Sequence, residues 1–83
     1  MQDEDKVLLK QFGEKIREIR TSRFSSLNNF AFNSSLLTSA TVSRIENGNV
    51  DFKFSTLIKL SNALNVTPSE LLKNFNFQYN DNE

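Results

Sequence analysis

Residues 38–48 read TSATVSRIENG. Four of the first six are Thr or Ser, which are weak helix formers. Yet Val42 and Ile45 stand three apart, as on one helical face, and Gly48 stands where a helix would stop. A short helix is therefore expected here, with Thr38 or Ser39 as its cap. Val42 and Ile45, joined by Leu37 just before the helix, supply an inward face. The outward face is small and hydroxyl-rich: Ser39, Ala40 and Ser43, with Arg44 as its one long side chain. A surface of that kind suits a helix that lies against something other than water.

The flanking sequence reads as helical throughout. In DKVLLKQFGEKIREIRTSR, Leu9, Phe12, Ile16 and Ile19 recur at spacings of three and four, with charged residues on the other faces. A helix is expected from about Lys6 to Ser22, capped by Asp5. Gly13 inside it costs about 1 kcal/mol against Ala, which is reasonable where another backbone must come close. Ser25 or Ser26 caps a second, short helix with Leu27, Phe30 and Ala31 on its apolar side. STLIKLSNALNV repeats Leu57, Leu60, Ala63 and Leu64 at helical spacing, and Asn65 takes the place of a terminating Gly. In TPSELL, Thr67 is the cap, Pro68 the first helical residue and Glu70 the residue three beyond the cap. The expected architecture is all-α, a compact bundle of five helices.

Composition narrows the function classes. The chain has 83 residues and no Cys or His, so disulfides, zinc sites on those ligands and Cys- or His-based catalytic dyads are excluded. No metal site or cofactor is expected. No apolar run approaches the roughly 18 residues of a membrane helix, and MQDEDK lacks the apolar core of a signal peptide. A cytoplasmic protein without a membrane partner is expected. No GxGxxG, Walker lysine or HExxH is present, and the serines have no His base, so no catalytic residues are assigned and no enzyme is expected.

Net charge is zero, but it is unevenly spread. Asp3, Glu4 and Asp5 open the chain, and Asp81 and Glu83 close it. Residues 6 to 80 hold all ten Lys and Arg against Glu14, Glu18, Glu46, Asp51 and Glu70, a surplus of five positive charges. A mildly basic body with acidic ends permits DNA binding. Charge alone does not separate that reading from an ordinary solvated surface.

Two short helices near residues 26–34 and 39–47 form a helix-turn-helix. The stretches FGEKIREIR, SSLNNFA, TSATVSRIENG and FSTLIKLSNALNVTPSELL together resemble the lambda-repressor-like, or XRE/Cro-type, helix-turn-helix family. The resemblance covers about residues 11 to 73. Two departures stand out. Leu27 occupies the position where members usually carry a phosphate-touching Gln, and the segment from Ala31 to Val42 is one residue longer than the common spacing. The resemblance implies a lambda-repressor-like domain over residues 6 to 74, between an acidic extension at 1 to 5 and a tail at 75 to 83.

Double-stranded DNA is the expected partner. Small outward side chains let a helix backbone approach the floor of the major groove. Ser can donate or accept there, the Ala methyl can meet a thymine methyl, and Arg44 can grip guanine O6 and N7. Base readout is assigned to Ser39, Ala40, Ser43 and Arg44, with the resemblance singling out Ser39, Ala40 and Arg44. Phosphate contacts are assigned to Ser26 at the start of the second helix, Thr38, Thr41, Asn47, Asn49 and Lys53. Glu46 opposes both the helix dipole and the phosphates, so it should turn inward and be paired. The resemblance implies Arg20 as its partner, in a structural ion pair.

The tail reads NFNFQYN. Phe75, Phe77 and Tyr79 alternate as on one side of a strand and are candidate dimer contacts; a disordered tail with one packed aromatic is the other reading. The functional expectation is a sequence-specific transcriptional regulator, a repressor binding an inverted repeat as a homodimer. Two alternatives remain at this level. One is an antitoxin or restriction-modification controller with the same fold and a toxin or other protein partner. The other is a protein-interaction module that has lost DNA binding.

Overall fold

Helix-forming periodicity and capping chemistry place five helices among the described residues. These are α1 (Asp3–Arg23), α2 (Leu27–Ser34), α3 (Ser39–Glu46), α4 (Phe54–Leu64) and α5 (Pro68–Leu72). The computed structural model describes residues 3–34, 36–75 and 79, with only the backbone described for 32–34. No strand occurs among the described residues.

The ends of the helices follow local chemistry. The Ser26 hydroxyl accepts from the Asn29 N–H at 3.0 Å, capping α2. Thr38 accepts from the Thr41 N–H at 3.1 Å and Thr67 from the Glu70 N–H at 3.1 Å, so both expected threonine caps form. Asn65 adopts φ 58°, the left-handed conformation expected of a helix-terminating residue, and Val66 N–H closes back on Ser61 O. The first helix departs from expectation. It starts at Asp3, and Asp5 lies inside it. The expected acidic extension is therefore partly the first turn of α1, where Asp3, Glu4 and Asp5 complement the positive end of the helix dipole. Arg20 and Arg23 complement the other end.

The core draws on every helix: Phe12, Ile16, Phe30, Leu37, Val42, Ile45, Leu57, Leu60, Leu64 and Leu71 form one buried cluster. Leu37, Val42 and Ile45 all point into it, so the longer turn leaves the inward face of α3 in the expected register. Phe30 meets Phe24 edge-on at 4.9 Å, and Phe12 lies against Phe52 at 5.2 Å. Phe54, the first residue of α4, is 75% exposed. Leu27 is half-buried against the cluster, so this departure from the family pattern has a packing role.

Gly13 is where α1 crosses the end of α3. A Cβ there would lie 2.3 Å from Ile45 O and 2.6 Å from Glu46 O, so no other residue permits this crossing without movement. Gly48, with φ 70°, brings its own backbone against Lys10 in the same region.

Phe75 and Tyr79 of the tail find partners within the chain. Phe75 packs against Phe12 at 6.0 Å beneath the Lys15 ammonium, and Lys15 Nζ also donates to Lys73 O at 2.5 Å. Tyr79 donates to Asp5 Oδ1 at 2.5 Å. Neither Phe75 nor Tyr79 lies in a strand within this chain, and both side chains meet α1; Phe77 lies outside the described residues.

Candidate nucleic-acid interface

Helix α3 has two faces with different chemistry. Val42 and Ile45 anchor the inner one in the core. On the outer one Ala40 and Arg44 are exposed, while Ser39 and Ser43 are partly so. The four residues assigned to base readout thus share the solvent side of a helix of eight residues. No charged side chain other than Arg44 stands on that face, so a groove surface could approach the backbone closely.

The orientation of α3 is fixed from behind by an ion pair. Arg20 Nε donates to Glu46 Oε2 at 2.5 Å and Arg20 Nη2 donates to Glu46 Oε1 at 3.0 Å. The pair is bidentate and buried, with side chains 8% and 2% exposed. Glu46 is thereby turned away from the outer face of α3, and its charge is met by a cation rather than left at the negative end of the helix dipole. Arg17 adds a second cation, its Nε 3.6 Å from Glu46 Oε1. Sequence reasoning missed Arg17. The available signal was its position three residues before Arg20, on nearly the same face of α1.

A helix-turn-helix family pattern matches residues 16–71, which takes in the last third of α1, all of α2 to α4 and most of α5. The chain belongs to the XRE, or lambda-repressor-like, helix-turn-helix family. It is accordingly a DNA-binding transcriptional regulator. Among solved structures it is similar to the restriction-modification controller protein C.AhdI from Aeromonas hydrophila, at 33% identity and a TM-score of 0.73. That similarity covers 84% of this chain and 99% of the controller chain. No match was found among curated proteins.

Within this helix-turn-helix domain, the residues assigned to phosphate surround α3 at three places. Ser26 is exposed at the start of α2, and its oxygen is occupied by capping while its O–H stays available to donate. Thr38 has less to offer. Its oxygen caps α3, and its O–H donates to Thr41 Oγ1 at 2.9 Å. That leaves the Thr41 O–H as the free donor of the two. At the other end, α3 closes with paired backbone bonds, Gly48 N–H to Ile45 O and Asn49 N–H to Arg44 O.

The Asn47 and Asn49 backbone N–H groups are therefore spent inside the fold, the former on Ser43 O. Only their side-chain amides could serve a phosphate, and Asn47 Nδ2 already gives one N–H to Ser43 O at 2.9 Å. Lys53 is exposed at the start of α4, where it caps no helix N–H with its side chain. Among the described residues no buried side-chain nitrogen or oxygen lacks a partner. No group of His, Cys, Asp or Glu among the described residues could hold a metal ion. No helix among the described residues is long and apolar enough to cross a membrane.

Proposed function

We propose that this domain binds a specific double-stranded DNA operator as a homodimer and represses transcription from it. The observation that carries the reading is the division of α3. Its inner face is locked by Val42, Ile45 and the Arg20–Glu46 pair, and its outer face offers only Ser39, Ala40, Ser43 and Arg44. In this reading α3 lies in the major groove. Arg44 takes guanine through O6 and N7, Ala40 meets a thymine methyl, and Ser39 and Ser43 complete the readout. Ser26, Thr41, Asn47, Asn49 and Lys53 hold the phosphates on either side, with Thr38 serving through the cap it forms. A symmetric dimer then presents two α3 helices to half-sites about one DNA turn apart.

The similarity to C.AhdI favours one biological setting, control of a restriction-modification operon in the cytoplasm. A gel shift across a salt series tests the molecular claim. With a duplex recovered by selection from random DNA, affinity should fall steeply and log-linearly with salt. No shift at low salt would leave a protein-interaction module as the better reading.

A further inference from the structure

We infer that Arg17 is a DNA phosphate ligand, held in place by Glu46 but not consumed by it. The inference rests on the DNA-binding reading above and adds a contact that the outer face of α3 does not contain. Glu46 offers two carboxylate oxygens, and Arg20 takes both in a bidentate pair. Arg17 is left at 3.6 Å, beyond ordinary hydrogen-bond reach, with 60% of its side chain exposed. The two arginines therefore play different parts. Arg20 neutralises a buried acid, whereas Arg17 keeps most of its side chain in water.

The placement follows from the backbone. Gly13 brings α1 against the carbonyls of Ile45 and Glu46, and Arg17 stands one turn further along the same helix. Its guanidinium thus lies at the seam between α1 and the recognition helix. Charge at that seam does not balance. Two guanidiniums face one carboxylate and the end of the α3 dipole, equivalent to about half a negative charge. The surplus is positive and exposed beside the helix read here as entering the groove. Glu46 attracts Arg17 enough to limit its wandering, so less side-chain entropy is lost when a phosphate takes its N–H groups. A phosphate contact carries no base information, so Arg17 should strengthen binding to every duplex alike.

The test compares parent, Arg17→Ala and Arg17→Lys on two duplexes of roughly three helical turns each. One is recovered by selection from random DNA and the other is of mixed sequence. The expected result for Arg17→Ala is a salt slope, in log K against log salt, shallower by about 0.9 on the selected duplex. Its loss of affinity should be the same factor on both duplexes at a given salt. Arg17→Lys should keep the parental slope, because the point charge survives. Melting of Arg17→Ala should stay within roughly 4 °C of parent, since the lost pair is exposed. An unchanged slope in Arg17→Ala, with a parent that binds and responds to salt, would overturn the assignment. So would a loss confined to the selected duplex. A parent that binds neither duplex would overturn the DNA reading itself.

Discussion

Glu46→Ala should destabilise the domain far more than an ordinary surface ion pair would. The change removes the acid paired with Arg20, whose side chain is 8% exposed and has its Nε and Nη2 committed to Glu46. Two charges about 4 Å apart interact by about 4 kcal/mol at the effective dielectric usual for proteins. Removing one partner of a buried pair typically costs about 3–5 kcal/mol, because the survivor is left charged and unpaired. A domain of this size has a total stability of roughly 4–12 kcal/mol, so the variant would lose a large share of it. Its melting temperature should fall by roughly 12 °C or more.

The measurement is urea or thermal unfolding followed by far-ultraviolet circular dichroism. Replacing both partners, Arg20→Met with Glu46→Leu, is the control. It removes the orphaned charge and should recover much of the loss. The reasoning fails if Glu46→Ala melts within about 1 kcal/mol of parent, which is the range of an exposed pair. It also fails if the double variant is no better than Glu46→Ala.

Three further outcomes follow from the geometry. Gly13→Ala should destabilise by about 1–3 kcal/mol in unfolding experiments, although Ala is the better helix former, because its Cβ would strike the Ile45 and Glu46 carbonyls. Tyr79, the only tyrosine in a chain without Trp, should titrate near pH 12 by ultraviolet absorbance. Its hydrogen bond to Asp5 raises the pKa first, with desolvation and the charges of Asp5, Asp51 and Glu4 adding to it. The bond should be intact below the ordinary value of about 10 and be lost as pH rises through about 12; Asp5→Asn should move the titration back toward 10. Arg44→Ala should cost about 1–3 kcal/mol in binding a selected duplex and relax preference at one base position, as read by a second round of selection.

Much of this fold is legible in the sequence because its signals are local. Thr38 and Thr67 sit beside the N–H groups that they cap, and Asn65 ends its helix with its own backbone. Periodicity identified the inward side of α3 without knowledge of its neighbours. The Arg20–Glu46 pair needed more. The inward turn of Glu46 follows from electrostatics, but its partner, 26 residues away, came from the family pattern. Contacts at longer range had no such guide. Arg23 donates to Leu64 O at 2.6 Å across 41 residues, and Lys15 to Lys73 O across 58. Each joins a long flexible cation to a backbone carbonyl, an acceptor that every residue possesses.

The tail shows the same limit from another side. Alternation of Phe75, Phe77 and Tyr79 is a two-residue period, and it pointed to a strand. Phe12, Lys15 and Asp5 on α1 give Phe75 and Tyr79 partners that a two-residue period does not reveal. The start of α1 was misplaced for a related reason. Asp is favoured both as a cap and in a first turn, and the run from Asp3 to Asp5 satisfies either role.

Selection of bound duplexes from a random pool reads binding, sequence preference and symmetry of the α3 interface together. A dimer that presents two α3 helices should enrich an inverted repeat whose half-site centres lie about 10–10.5 base pairs apart, or a multiple of that. A pool that stays random after repeated rounds, with protein that is folded and concentrated, would contradict it.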